Sequence, residues 1–530
     1  MVVFMKYQNP VISGFYPDPS ICRVGEDFYL VNSTFEYFPG VPVFHSRDLV
    51  NWKQIGHCIT RNSQLILRTG KQNYTGIYAP TIRYHEGIFY MVTTNAANGE
   101  EGTGNFYVWT ENPAGEWSDP VFLDAPGIDP SFFFDDDGKV YFTGTDNCEI
   151  FMREMDFSQK KLVGDRIRLW EGSGGAYAEG PHLYKKDGWY YLLISEGGTE
   201  RCHMLTMARS RNVRGPYEPC PDNPVMTNRS LGLAIESVGH GDLVQDQNGN
   251  WWAVCLGTRN FGYPPRHNLG RETMLMPVDW SGEWPVFGDR GRVLDVFETD
   301  RLPGAVSATD SSSTAVSATD PLSAAVLETV EYRDDFSSPT LDFGWNFIYN
   351  PDPSLYGQEN NRLCLYGNEK RLKDADVIAW IGRRQKHHMC TVGVTLEFPC
   401  CQDGEEAGLT IFMNHRHHYE IALCCEGQKR KLIFRRQIGS LEKVERECSW
   451  DSACVCVKMA ADSEFYRFEF QNPDGSWEEF GRGETQYLTT EVGGNFTGNY
   501  IGLYSSGNGK KCSTCAAFSD YYYMGENRQR

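Results

Sequence analysis

The 530-residue sequence contains no apolar run approaching a membrane-spanning helix, and residues 1–300 carry almost no sustained 3.6-residue periodicity. A helical membrane protein and a helical bundle are thereby excluded. Basic residues are also scarce: 50 Lys and Arg stand against 70 Asp and Glu, a formal charge of -20 with a pI near 5.1. A field of that sign repels phosphate backbones and anionic lipid, so no nucleic acid and no membrane are expected as partners, whereas neutral small molecules are admitted. The opening MVVFMKYQNPVISGF lacks the long apolar core and small-residue cleavage site of a secretory leader. The seventeen cysteines are odd in number, and the adjacent pairs Cys400–Cys401 and Cys424–Cys425 fit no spaced disulfide framework. No C-x-x-C pair has the matching partner of a structural zinc site. Together these absences lead us to expect a reduced, cytoplasmic protein, with secretion as the alternative had a leader been removed.

What the chain has in quantity is aromatic residues, 13% of the total, which favour strands and supply stacking surfaces. Its length calls for at least two domains. Five segments share one plan, in which a Pro or Gly turn precedes an apolar strand, a tight polar turn and an aromatic strand. They are YPDPSICRVGEDFYLVNST from Tyr16, YAPTIRYHEGIFYMVTT from Tyr78, IDPSFFFDDDGKVYFTGT from Ile128, AEGPHLYKKDGWYYLLIS from Ala178 and GHGDLVQDQNGNWWAVC from Gly239. With Asp18, Ala79, Asp129, Gly180 and Gly241 taken as equivalent, the steps are 61, 50, 51 and 61 residues. Each unit has room for about four strands, the content of a propeller blade. The expected fold is all-β, with a five-bladed β-propeller over residues 1–302; a sandwich or two stacked barrels is the competing arrangement. Residues 303–327 repeat AVSATD at 305–310 and 315–320 and are too rich in small and hydroxylated residues to build a core, so they are expected to be a linker. From 328 to 530 alternating strands resume, as expected of a jelly-roll or concanavalin-like β-sandwich.

Inner strands of a propeller line one channel, so equivalent positions of distant blades converge on its axis. That geometry brings Asp18, Asp129, Glu179 and the His240-Gly241-Asp242 segment to one pocket. A ring of carboxylates suits glycosidic cleavage, in which one acid is protonated for the leaving oxygen and another is ionised to draw a proton from water. Like charges at close range help to keep the acid protonated. Taken singly, an Asp in PDPS or IDPS is a common turn former.

The stretch NPVISGFYPDPSICRVGEDFYLVNSTFEYFPGVPVFHSRDLVNWKQIGH resembles the opening of glycoside hydrolase family 43, the β-xylosidase and α-L-arabinofuranosidase group. GIDPSFFFDDDG, AEGPHLYKKDGWYYLLISEGGT, VGHGDLV and NLGRETMLMPVDW follow in the family's order, and EAGLTIFMNHRHHYEIAL resembles its C-terminal sandwich. The resemblance implies inversion of configuration, with Asp18 as base, Glu179 as acid, and Asp129 orienting the acid and tuning its pKa. It implies that Arg271 reaches substrate hydroxyls. It places His240 where some members hold a central water, Ca2+ or another divalent cation, although no cofactor is required. It further implies a sandwich packed on the propeller, with one loop narrowing the pocket.

The expected substrate is a small neutral oligosaccharide from which single terminal pentoses are released, β-D-xylose and/or α-L-arabinofuranose, with β-D-xylosidase activity leading and a primarily α-L-arabinofuranosidase activity as the alternative. The alternative from another class is a non-catalytic carbohydrate-binding protein. Sugar-stacking walls are expected from Phe35, with Tyr37 and Phe38 beside it, and from Tyr78, where many xylosidases of the family carry Trp. Glu196 is expected to cap a turn. Asp135-Asp136-Asp137-Gly138 lacks the spaced ligands of a calcium loop and reads as a solvated hairpin turn. SRDLVNW resembles a sialidase Asp-box without its glycine.

Overall fold

The structure, a computed structural model, describes residues 5–67, 74–96, 102–303 and 328–527. The expected linker at 303–327 lies outside the described residues, apart from Pro303. Residues 5–303 form the five-bladed propeller. Blade 1 runs outward through Ser20–Val24, Asp27–Val31, Gly40–Ser46 and Lys53–Ile59, and blade 2 through Thr81–His85, Ile88–Ala96, Gly104–Thr110 and Val121–Phe122. Blades 3, 4 and 5 begin with the inner strands Ile128–Phe134, Glu179–Lys186 and Ile235–Gln245, and each continues through three further antiparallel strands. The ring is closed by the N-terminal segment. Asn9 spans to Leu275 and Leu294 of blade 5 and its surroundings, and Met5–Gln8 pairs with Val296–Thr299.

Register corrects the alignment of the repeat by one residue. Regular pairing in the inner hairpins starts at Ser20↔Val31, Thr81↔Val92, Ser131↔Thr143, His182↔Leu193 and Asp242↔Val254. The position two residues earlier is therefore Asp18, Ala79, Asp129, Gly180 and His240, so His240 and not Gly241 is the fifth equivalent. Register shifts precede regular pairing in blades 3, 4 and 5. Four of the five equivalents have left-handed backbone: Asp18 at φ 52°, Asp129 at 56°, Gly180 at 60° and His240 at 45°. Such irregularities re-aim side chains at functional sites.

Just below them Asp242 binds the blades together. Its carboxylate accepts hydrogen bonds from Ser20 Oγ (2.6 Å) and the Ile21 N–H (3.0 Å) of blade 1, from Arg83 of blade 2 (2.7 and 3.1 Å), and from the Tyr184 hydroxyl of blade 4 (2.6 Å). Blade 3 joins through Ser131, whose hydroxyl lies 3.2 Å from His182 Nδ1, the atom that also faces Arg83 Nη2 at 2.9 Å. Burial pushes the Asp242 carboxyl up, but Arg83 and His182 and the bonds from Arg83 and Ser20 override it and hold the group well below the carboxylate range.

The sandwich has a sheet of eight strands, with Ala516–Asn527 at its centre, facing one of six that includes Tyr500–Ser506. Its second sheet packs on the propeller through a shared cluster. Tyr37–Phe38, expected at the pocket, instead pairs with Phe347–Ile348 of the sandwich, and Tyr37 stacks on Tyr500 at 4.0 Å. Alternation along a strand identifies an apolar face without saying which of two apolar surfaces covers it. Each large apolar side chain fully buried in this way contributes roughly 1.5–3 kcal/mol.

Asp242→Ala should destabilise the protein by about 3–5 kcal/mol in urea titrations, because Arg83 is left largely buried without a counter-charge. A carboxyl whose folded pKa is depressed stabilises above its unfolded pKa and loses that contribution as pH falls through the folded value. The difference between wild type and variant should therefore shrink in acid.

Candidate active site

The inner-strand irregularities deliver their side chains to a pocket of about 310 Å³ at the channel mouth, lined by Asp18, Asp129, Glu179, His240 and Arg271 together with aromatic walls. Asp18 is 4% exposed, and its Oδ1 accepts from Arg271 Nη1 at 3.0 Å while Oδ2 accepts from the Ser33 hydroxyl. Burial pushes its carboxyl up, but the charges of Arg271 and His240 and the Ser33 bond outweigh burial, and the pKa lies below the ordinary value. Among the described residues Asp129 accepts only the Gly180 N–H, at 3.1 Å, and is pushed up to about 6 by burial, with His240 opposing the shift and Asp18 reinforcing it. Glu179 is raised well above the ordinary value by burial, then by Asp129 and Asp18. The three acids thus differ in pKa because they have different neighbours.

Two glycines make this packing possible. Gly180, at φ 60°, would place a Cβ 3.1 Å from the His240 ring, so the residue after Glu179 must be small as well as left-handed. Gly239 would place a Cβ 2.4 Å from His203. That histidine, which the sequence reading missed, is 1% exposed. Its Nδ1 faces the Ser237 carbonyl at 3.2 Å, while Nε2 has no hydrogen-bond partner among the described residues and lies 4.0 Å from Glu179 Oε1. Burial drives its pKa down to about 3, so the ring is neutral. With the proton on Nδ1, Nε2 presents a lone pair toward a protonated Glu179.

Phe35 and Tyr78 take up their expected places in the wall, with ring centroids 5.1 Å apart. The third aromatic comes from the sandwich: Phe496 lies 5.5 Å from Phe35. Arg271 fastens this loop to the site, since it donates to the Thr199 hydroxyl (3.0 Å) and to the Phe496 carbonyl (3.3 Å) as well as to Asp18. Phe496 and Thr199 lie outside the repeat, so no inner-hairpin alignment could reveal them.

Glu196 is fully buried and accepts from the backbone N–H groups of Ser173 and Gly175 and from two hydroxyls, a structural carboxylate. Asp135 ties its hairpin turn to Lys185 (2.6 Å) and Tyr190 (2.8 Å).

One ligand atom each from Asp129, Glu179 and His240 lie within 4.8 Å of one another. Two carboxylates and an imidazole suit a divalent cation by donor type. Coordination requires ionised carboxylates, however, and these surroundings hold Glu179 protonated. A cation at this donor set would therefore compete with the proton on Glu179.

A propeller that gathers an ionised and a protonated carboxylate in one sugar-sized pocket has the fold and the site of a glycoside hydrolase. The pattern of "Glycosyl hydrolases family 43" matches residues 7–285, and that of the "Beta xylosidase C-terminal Concanavalin A-like domain" matches residues 333–524. The chain belongs to glycosyl hydrolases family 43 and is an exo-acting glycosidase. It is 39% identical to the non-reducing end α-L-arabinofuranosidase BoGH43B of Bacteroides ovatus, over 97% of this chain and 93% of that protein. It is 38% identical to a xylosidase/arabinosidase of Butyrivibrio fibrisolvens, over 97% and 98%. The solved structure of the Bacteroides ovatus xyloglucan-locus GH43B superposes with a TM-score of 0.89 at 37% identity, covering 99% of this chain and 100% of that one. That of a xylan β-1,4-xylosidase from Bacillus halodurans gives 0.85 at 31%, covering 98% and 99%.

Phe496→Ala should raise KM for an aryl pentoside about tenfold, equivalent to roughly 1.4 kcal/mol, with a smaller change in kcat and an unchanged melting temperature. Steady-state kinetics beside a thermal scan distinguish this from a general loss of fold.

Proposed function

We propose that the enzyme hydrolyses terminal pentosides of short, neutral xylo- or arabinoxylo-oligosaccharides with inversion, releasing β-D-xylosyl and α-L-arabinofuranosyl units. The observation that carries the roles is the split between Asp18, held ionised by Arg271 and Ser33, and Glu179, kept protonated by burial and by its acidic neighbours. In this reading Asp18 draws the proton from a water attacking the anomeric carbon as Glu179 passes its proton to the departing oxygen. Asp129 holds the Gly180 N–H and adds negative potential that keeps Glu179 protonated. Arg271 keeps Asp18 ionised and presents donors to sugar hydroxyls, while Phe35, Tyr78 and Phe496 cover the apolar faces of the ring. A mouth narrowed by Phe496 favours chain ends of soluble oligosaccharides over intact polymer. The names of the relatives span both pentose activities, which supports a dual specificity.

Seventeen free thiols, all on described residues, agree with a cytoplasmic setting. No cofactor is assigned a step. A cation drawn to Asp129, Glu179 and His240 would ionise Glu179 and remove the proton that the leaving group needs.

With 4-nitrophenyl β-xyloside and 4-nitrophenyl α-arabinofuranoside both substrates should turn over, and proton NMR of the first xylose released should show the α anomer. Glu179→Ala should lose about 10²–10⁴-fold on unactivated xylobiose yet stay within about tenfold of wild type on the activated aryl xyloside; Asp18→Ala should fail on both. Initial β-xylose, or equal losses for the two variants on every substrate, would remove the assignment. The profile of kcat/KM against pH should be a bell. Its acid limb should fall below the ordinary carboxylate range, where Asp18 gains a proton, and its alkaline limb above it, where Glu179 loses one.

Chelation should leave the rate unchanged. Millimolar Zn2+ or Ca2+ should, if anything, inhibit, and the inhibition should deepen as pH rises. A rate that collapses in EDTA and returns with one metal would contradict this cofactor-free mechanism.

A further inference from the structure

A second cleft, of about 350 Å³, opens between blade 1 and the sandwich and shares no lining residue with the catalytic pocket. Its chemistry differs from that of the rest of this acidic chain. Arg383 pairs with Asp342 at 2.8 Å, and those two charges cancel. Lys53, Arg384 and Lys386 remain, and none has a carboxylate partner among the described residues. Arg384 is 2% exposed; Nε donates to the Phe15 carbonyl at 2.7 Å and Nη1 to Asn346, while buried Nη2 has no hydrogen-bond partner among the described residues. Arg384 is the buried one of the three, Lys53 and Lys386 reach water, and together they give this cleft a positive excess in a chain of net charge -20.

The potential is already visible on the cleft floor. Tyr16 is 2% exposed, and its ring lies 4.4 Å from the Arg384 guanidinium and 5.9 Å from Lys386 Nζ. Burial pushes its phenol up, yet the charges of Arg384, Lys386 and Arg383 outweigh burial and the pKa lies below its ordinary value. A positive field at this floor stabilises whatever anion reaches it.

The walls add a second requirement. Trp52 is half-buried and held in place by its indole N–H, which donates to the Leu49 carbonyl at 2.7 Å. Phe343 is 48% exposed, with its carbonyl taking the Gln54 amide at 3.4 Å and its ring edge-on to His57 at 6.1 Å. Fixed aromatic rings beside cations suit a ligand with one apolar face and one anionic group, and the volume falls at the lower end of small-molecule clefts, about 300–1,000 Å³. Inorganic anions would satisfy the charge and leave the rings unused. Neutral sugars would do the reverse.

We infer that the cleft between blade 1 and the sandwich is a non-catalytic site for an anionic sugar, a single ring bearing a carboxylate or a phosphate, seated on Trp52 and Phe343 and held by Lys53, Lys386 and the field of Arg384. The inference stands apart from the reading of the catalytic pocket, because no residue is shared.

Isothermal titration of the full-length protein with D-glucuronate, glucose 6-phosphate, glucose and inorganic phosphate tests it. At least one anionic sugar should bind at least tenfold more tightly than both glucose and phosphate. Glucuronate alone would identify a sugar carboxylate, and glucose 6-phosphate alone a sugar phosphate. Lys386→Ala, and separately the exposed Lys53→Ala, should each weaken that binding at least fivefold while kcat/KM on the aryl pentosides stays within twofold of wild type. Three outcomes would overturn the inference: no preference for either anionic sugar over glucose, affinity unchanged in both lysine variants, or phosphate binding as tightly as the anionic sugars, which would mean an adventitious ion only.

Discussion

Everything at the channel mouth is positioned by the hydrogen bonds and ion pair that Asp242 makes below it. Blades of a propeller have little reason to hold a common height, since their sheets pack face to face through apolar side chains that can slide. A single carboxylate that accepts from blades 1, 2 and 4, with blade 3 linked through His182, removes that freedom. The inner strands are pinned at Ser20, Arg83, Ser131, His182 and Asp242. The residues one level higher therefore arrive at the mouth in register.

The same arrangement shows how one residue type serves opposite purposes within one channel. Asp242 is surrounded by donors and stays ionised. Asp18 has a guanidinium and a hydroxyl, and is ionised as well. Asp129 has one backbone N–H, while Glu179 faces the neutral ring of His203 and two other acids, and both are driven toward the protonated form. Donors and charges within reach, more than depth of burial, order the three aspartates, because Asp18, Asp129 and Asp242 are all buried.

Much of this was legible in the chain. Five copies of a hairpin at steps of about 50–60 residues declare the propeller, and the shared offset of Asp18 and Asp129, with Glu179 one residue ahead of the equivalent Gly180, marks the mouth. The one-residue error at Gly241 arose because regular pairing in blades 3 to 5 starts only after a register shift, which spacing alone does not resolve. Tyr37 and Phe38 read as pocket aromatics but cover the sandwich. His203 and Phe496 carry no signal at all, since one comes from outside the inner hairpins and the other from a different domain. Repetition exposes what recurs, and the residues that specialise a site do not recur.

Phe496 also sets a temporal order. It reaches the pocket from a loop just ahead of Tyr500–Ser506, and the strand that follows, Ala516–Asn527, is the last to join the sandwich and pairs with three others at the heart of its larger sheet. A ribosome delivers the propeller with all its carboxylates long before it delivers these segments. The acids of the mouth all come from the propeller, whereas the aromatic ring that narrows it around a sugar comes from the sandwich. The shape of the mouth therefore depends on the segment of the chain that is synthesised last, while its reactive groups do not.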